Sequence, residues 1–526
     1  MDVRGLMAQA ATLNARRTAV IHGDRRLTFE EAWRRGIQVA NALLALELHP
    51  GDRVGVLEDN SIEAQDFFAG ATIAGLVRVP LYARNSAEAH THMLAHTGCR
   101  AVVVAEQYAH EIEAIRRDLP GVEHVVVRGR HDGLGYEEWL ASHSDVDPQV
   151  PIDPDDWYII RHTGGTTGKP KGVAYTHRSW LAAGRDWFYN FPPMVAGERC
   201  LHVGPISHGS GYLYTPTWLS GGCNVLLDHF EPSDTIGVME REQVGYMFAV
   251  PAMLNALARE ETACNRDWSA LKVIQIGGAP IADETALLAR DVFGMVLYQG
   301  FGQTEALPVC MMGPEEWFSD VEGSEPLRST GRALPFAYLQ IRDPENPSIE
   351  CPIGQQGEIA IKCDGQMLEF WENPDATAER ITTDGFVLTG DIGRLDENGY
   401  LYVLDRKDDM IISGGFNIWP AELENVIADH PGVIEVAVFA VPDEKWGETP
   451  MAVCAVADGV AVDDVAVADE IRTLCASRLG SYKKPTHVEL WAEALPKSPV
   501  GKIQRKILRE PHWVGFDRRV AGTFDR

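Results

Sequence analysis

The chain has 526 residues, 45% of them apolar and 23% charged, with a formal net charge of −29. That length exceeds one ordinary domain, and that composition belongs to a globular protein rather than a disordered one. So acidic a chain excludes nucleic acid and anionic membrane as general partners, and any anionic ligand must be met by local lysines and arginines. Nine scattered cysteines without a Cys-x-x-Cys pair point to reduced thiols, not to a disulfide framework or a zinc site. No apolar run reaches the length of a membrane span, and residues 1–7 lack the basic start and apolar core of a signal peptide. A cytoplasmic protein is expected.

Residues 1–50 predict helices around a short hairpin, in which residues 18–21 and 26–28 flank His22-Gly23-Asp24. Thr28-Phe29-Glu30-Glu31 has the pattern of a helix start. Residues 54–57 form a short apolar run, followed by a helical pattern to about Ala74, and residues 77–81 and 101–105 read as strands. Strands alternating with helices predict an α/β fold with largely parallel sheets.

Trp157-Tyr158-Ile159-Ile160 suits a buried strand. Arg161-His162-Thr163-Gly164-Gly165-Thr166-Thr167-Gly168-Lys169-Pro170-Lys171-Gly172 follows. Glycines admit close backbone approach, threonine hydroxyls donate and two lysines supply charge, which suits a loop wrapping an anion. A mobile surface loop has the same composition. The common P-loop is excluded, because Pro170 follows Lys169 where Ser or Thr is required.

Ligands in open α/β sheets gather at the carboxyl ends of strands. Two more polar, glycine-rich strand ends follow, Ile276-Gly277-Gly278-Ala279-Pro280 and Gln299-Gly300-Phe301-Gly302-Gln303-Thr304-Glu305. Each alone reads as a turn; the three within residues 161–305 predict one shared site.

From about Arg332 the texture changes to short β segments and turns, with a strand at 357–361. Asp405-Arg406-Lys407-Asp408-Asp409-Met410 is a charged run between apolar strands, either a linker or a hairpin tip. Beyond it, Pro420 opens a helix, residues 435–441 form a strand closed by Pro442, residues 451–456 form another, and a helix lies near 464–478. This α+β unit ends in a basic loop, Leu495-Pro496-Lys497-Ser498-Pro499-Val500-Gly501-Lys502.

Together these segments resemble the adenylate-forming superfamily of acyl-CoA synthetases, luciferases and peptide-synthetase adenylation domains, and bacterial acyl-CoA ligases most of all. The loop at 161–172 resembles the family's phosphate loop. Phe301-Gly302-Gln303-Thr304-Glu305 resembles its aromatic-Gly-x-Thr-Glu motif, and Leu388-Thr389-Gly390-Asp391 its Thr-Gly-Asp motif. Residues 405–412 resemble its hinge, and residues 496–502 its lysine loop. The resemblance implies a large α/β N-terminal domain over 1–405, with two α/β subdomains and a small distorted β-barrel. A hinge at 406–408 and a mobile α+β domain over 409–526 would complete it.

The implied chemistry has two halves. A small-molecule carboxylic acid attacks the α-phosphate of ATP, giving an acyl-adenylate and pyrophosphate, and the thiol of CoA then displaces AMP. By resemblance, Thr163, Gly164, Gly165, Thr166, Thr167, Gly168 and Lys171 hold the outer phosphates. Gly278, Ala279, Pro280, Gly300, Phe301 and Gly302 line the nucleotide, Thr304 touches the α-phosphate and Glu305 holds Mg²⁺. Asp391 and Arg406 bind ribose, Lys502 bridges carboxylate and phosphate, and Asp408 is the hinge.

Gly414 and Gly415 would line the pantetheine tunnel. Trp446 either contacts CoA or is a core tryptophan. A lone histidine is more often structural, but by its place in the motif His208 would gate an acyl pocket lined by Tyr212, Gly277, Gly300, Leu307 and Val309. That set carries no evident charge, and its two glycines leave room for a bulky apolar acid: aromatic, alicyclic, terpenoid or medium-chain. A homodimer is left open. Two departures stand out: glycine at 164, where serine is usual, and histidine at 162, where tyrosine is frequent. They leave open a thioesterification-biased variant beside the full ligase. Loading of a carrier protein is a further alternative.

Overall fold

A computed structural model describes the chain except residues 84, 129, 132–133, 164–169, 208, 280, 410, 414–415, 419, 444–446, 458, 480–482, 498–502 and 515–526. The side chains of 130–131, 134, 405–406, 408, 412, 416–417 and 447 are also outside the description. The chain divides into two compact units. One comprises Met1–Leu339, Ala360–Thr389 and Asp396–Leu401; the other comprises Gln340–Ile359, Gly390–Leu395 and Tyr402–Arg526.

Among the described residues, the first unit has a nine-stranded and a seven-stranded sheet. The nine-stranded sheet has a parallel centre in which Arg199–His202, Tyr246–Ala249, Val273–Ile276 and Leu297–Gln303 lie side by side. Ala306–Met312 then turns back antiparallel to Leu297–Gln303. The seven-stranded sheet runs parallel from His124–Arg128 through Ala101–Ala105, Arg53–Leu57 and Val77–Leu81 to Trp157–Thr163. Lys171–Thr176 pairs antiparallel with that last strand.

The expected hairpin at the start is present, and Gly23 at φ 57° makes its turn. Thr28 and Glu31 form a reciprocal capping box at the start of the helix Phe29–Leu44. The helix Ile62–Ile73 is buried at all but Glu63, with Gln65 and Asp66 among its enclosed residues. The strands Ala337–Arg342, Gly357–Cys363, Val387–Leu395 and Leu401–Arg406 form a four-stranded sheet where a small β-barrel was expected.

The second unit carries the sheet Phe416–Ile418, Ile411–Ser413, Gly447–Val456 and Val433–Asp443, with His487–Trp491 joined in parallel. One expectation needs correction here. Pro442 does not close its strand, which continues to Asp443 and pairs Pro442 with Glu448. The strand is the last in the sheet order, and an edge position tolerates a residue without a backbone donor.

Candidate active site

The glycine-rich loop is the tip of a hairpin. Thr163 pairs with Lys171 and His162 with Gly172, so the two ends of the loop are fixed opposite each other by the sheet ladder. Residues 164–169 lie outside the described residues. On the near side, His92 donates through Nε2 to the Pro170 carbonyl at 3.0 Å. His162 is enclosed. Burial pulls its imidazole down to about 3, with His96 and His92 adding to the effect, and neither ring nitrogen has a hydrogen-bond partner. Its ring lies 6.3 Å from that of His96.

A second wall comes from the nine-stranded sheet. Val273–Ile276 ends at Gly277 and Gly278, and Gly278 has φ 82°, a conformation that L side chains rarely adopt. The other predicted strand end is a hairpin: the strand runs through Gly300, Phe301 and Gly302 to Gln303, and Gln303 pairs with Ala306. Thr304 and Glu305 therefore sit in a tight turn. The Tyr175 hydroxyl donates to the Thr304 carbonyl at 2.5 Å, and Met367 N–H donates to the Glu305 carbonyl at 2.8 Å. The Glu305 side chain is buried, with Arg380 Nη2 at 3.6 Å. A buried carboxylate in a turn is a donor of the kind that Mg²⁺ takes together with substrate phosphates, so Glu305 fits the expected ion.

The acyl side is aromatic. Tyr212 lies in the helix Gly211–Leu219 and stacks with Trp180 at 5.2 Å and Trp187 at 6.1 Å. Trp187 meets Phe248 edge-on at 6.3 Å. A Cβ at Gly209 or Gly277 would touch the Phe248 ring at 3.7 and 3.6 Å, so Phe248 lies between those two glycines. Leu307 packs on Gly302, where a Cβ would come within 2.7 Å of it, and Val309 is fully buried.

One expectation changes: Gly300 does not open space, because a Cβ there would meet the Gln275 amide at 2.8 Å. The expected lining set itself carries no charge, but the guanidinium of Arg161 lies beside it, 4.4 Å from the Tyr212 ring. Burial raises the Tyr212 phenol, while Arg161 and Thr304 beside it act in the opposite direction. Its hydroxyl forms no well-shaped hydrogen bond with either. Trp187, Phe248 and Tyr175 are thus further candidates that the motifs did not name, and Arg161, the first residue of the loop stretch, takes no role of its own from them.

Pro280, His208, Gly414, Gly415, Trp446 and Lys502 lie outside the described residues. Arg406 ends a strand and Asp408 lies in a short 3₁₀ turn, with their side chains outside the description. Asp391 belongs to the second unit and is buried. Beside it, Gly390 N–H donates to Glu358 at 3.0 Å, and Glu358 pairs with Lys407 at 2.8 Å.

Residues 7–371 match the AMP-binding enzyme family, and residues 422–502 match the AMP-binding enzyme C-terminal domain. The chain belongs to the AMP-binding enzyme family. It is 33% identical over 503 residues to a feruloyl-CoA synthase of Amycolatopsis sp, which covers 95% of this chain and 96% of that protein. It is 32% identical over 514 residues to 3-[(3aS,4S,7aS)-7a-methyl-1,5-dioxo-octahydro-1H-inden-4-yl]propanoyl:CoA ligase of Rhodococcus jostii, covering 94% and 95%. A Mycobacterium tuberculosis fatty acyl CoA synthetase superposes with a TM-score of 0.78 at 31% identity, over 98% of each chain. The chain is accordingly an ATP-dependent acid–thiol ligase of the adenylate-forming superfamily.

Proposed function

We propose that this AMP-binding enzyme is a full acyl-CoA ligase for an apolar, bulky carboxylic acid of aromatic, alicyclic, terpenoid or medium-chain type. The observation that carries the reading is Phe248 set between Gly209 and Gly277, with Trp187 leading from it to Tyr212, whose phenol lies beside Thr304. An acyl group lying against that ring would present its carboxylate to the Thr304 turn.

The reaction joins two anions, so positioning and charge neutralisation do most of the work. One carboxylate oxygen bonds to the α-phosphorus while the bond to pyrophosphate breaks. Thr163 and Lys171, fixed by the hairpin, flank the outer phosphates. Thr304, its carbonyl tied by Tyr175, aims at the α-phosphate. When bound at Glu305, Mg²⁺ supplies charge neutralisation on the phosphates. Lys502 bridges the two reacting anions, and the compact charge of an ammonium suits that place. His208 gates the acyl pocket, Phe301 and residues 278–280 hold adenine, and Asp391 and Arg406 hold ribose. Asp408 is the hinge between the 1–405 and 409–526 domains, about which the smaller one turns to admit CoA past Gly414, Gly415 and Trp446. The protein acts in the cytoplasm.

A panel of carboxylic acids with ATP and CoA, read by mass spectrometry for CoA esters, tests the reading. Lys502→Ala is expected to abolish pyrophosphate release while leaving thioester formation from a supplied acyl-adenylate. Unchanged pyrophosphate release would remove Lys502 from the chemistry. A second reading, bias towards thioesterification, draws on Gly164 and on the neutral, unpartnered His162. No pyrophosphate release with any acid of the panel, alongside CoA ester formed from the adenylate, selects that reading.

A further inference from the structure

Buried positive charge exceeds buried negative charge around one spot in the first unit. Arg78, Arg128 and Arg161 are 2%, 6% and 7% exposed. Two buried carboxylates lie near them. Glu58, 5% exposed, pairs with Arg128 at 2.6 Å. Glu305, 6% exposed, is like Arg161 close enough to act on Tyr212 and Tyr175, and has Arg380 at 3.6 Å. Neither Arg78 nor Arg161 makes an ion pair among the described residues, and Arg78 Nε and Nη2 and Arg161 Nη1 have no hydrogen-bond partner. Arg78 lies over two rings, Phe68 at 3.7 Å and Tyr158 at 4.7 Å, whose faces act as a partial counter-charge. Arg161 has one such ring, Tyr212 at 4.4 Å, and Arg78 is close enough to repel it. A guanidinium at this depth without an ion-pair partner of its own is costly. An anion from outside would remove that cost.

Location decides which anion. Tyr212 stands in the aromatic wall of Trp180 and Trp187, on the acyl side, and its hydroxyl end lies beside Thr304. The reacting carboxylate is the anion that must stand where the acyl wall meets the Thr304 turn. We propose that Arg161 is a further substrate-binding residue, whose guanidinium holds the carboxylate of the acid for attack on the α-phosphate. This rests on the acyl-CoA ligase reading above. In the attack, one carboxylate oxygen forms the bond to phosphorus, the other remains as the acyl carbonyl of the mixed anhydride, and pyrophosphate leaves with the displaced electron pair; no proton moves. The acyl group ends uncharged, so Arg161 serves acid capture and not the later attack by the thiol.

The test uses the full-length enzyme with ferulic, decanoic and cyclohexanepropionic acids, choosing the one that wild type turns over fastest. Arg161→Met is expected to raise KM for the acid about 10- to 100-fold, the effect of losing one charge-assisted partner. KM for ATP and the rate of CoA ester formation from a supplied acyl-adenylate stay unchanged. Added guanidinium at millimolar concentration restores part of the loss, and Arg161→Lys falls between wild type and Arg161→Met. Three results overturn the proposal: KM for ATP rising alongside KM for the acid, thioester formation falling to the same degree, or no change in either variant. If Arg161→Met does not fold, Arg161→Lys decides by the same split between acid and ATP. Wild type inactive on every acid is a different failure, that of the ligase reading itself. Calorimetry of acid binding to wild type and Arg161→Lys then still reads the inference, and equal affinities overturn it.

Discussion

His162 is the penultimate residue of the strand Trp157–Thr163 and is held neutral by its surroundings. Its folded pKa, about 3, lies below the roughly 6.5 of an unfolded histidine. As pH falls through 6.5 the unfolded chain takes up the proton first, so stability is lost at about 1.4 kcal/mol per pH unit, or about 2 kcal/mol by pH 5. His177 and His202, both buried and lowered to about 4, push the same way. Glu58, raised to about 7 by burial, pushes the opposite way, since its protonation below that pH favours the folded state. A comparison of variants isolates the single group. Between pH 7.5 and pH 5, Tm is expected to fall about 2 °C less for His162→Tyr than for wild type. Equal falls would show that the imidazole is protonated in the folded protein. At this scale the sequence offers candidates wherever chemistry dictates residue type: Thr163, Gly278, Thr304 and Glu305 stand in recognisable patterns. Trp187 and Phe248 do not, and no pattern gives Arg161 a role of its own, because the three come from separate elements and only packing brings them together.

Among the elements, the contact between the helices Phe29–Leu44 and Ile62–Ile73 turns on one buried carboxylate. Asp66 is fully buried; it accepts from Arg35 Nε at 3.1 and 3.0 Å and from Arg35 Nη2 at 2.7 Å. Tyr136 adds a bond at 3.2 Å, and Arg35 also reaches Glu137. Burial raises the Asp66 carboxyl to about 6 even with Arg35 opposing it. Arg35→Met therefore leaves a buried carboxylate without its cation, at a cost of about 3–5 kcal/mol. A carboxyl with a raised folded pKa loses stability as pH rises through that value. The deficit of the variant is thus expected to grow between pH 6 and pH 8 in thermal melts. Asp66→Leu in the same background should recover most of it, since an apolar pair needs no counter-charge. A deficit independent of pH would mean that the packing of Arg35, not its charge, was lost. The helix start here was readable from Thr28 and Glu31, because a capping box is local. The Arg35–Asp66 pair was not, since residues 31 apart are joined by helix packing alone. Pro442 was misread for a related reason: whether a proline ends a strand depends on which side of the sheet it faces, which local sequence does not record.

Over the whole molecule, the acidic surface and the thiols follow from composition, while the division into units does not. A net charge of −29 leaves the site dependent on its own cations, and Lys171, Arg161 and Arg380 are placed there. The order of the motifs made the two-part architecture legible, but strands from three separate stretches enter the second unit, a matter of tertiary pairing. The cysteines give the sharpest test of the packing across both units. All nine are free; Cys264 is exposed and the other eight are buried. Burial pushes Cys99, Cys200, Cys223, Cys310, Cys363 and Cys454 up to about 12 and Cys475 to about 11. A thiol reacts as its thiolate, and at pH 8 a group with a pKa near 12 is about one ten-thousandth ionised. The native enzyme is therefore expected to give a single fast equivalent with a disulfide-exchange dye, removed by Cys264→Ser. All nine equivalents should appear in denaturant. The slow thiols should divide by unit, because each reports the opening of its own core: Cys454 and Cys475 in the second unit, Cys99, Cys200, Cys223 and Cys310 in the first. A second fast equivalent that survives Cys264→Ser would show that one of these cores is open in solution, and mapping the labelled residue would identify which.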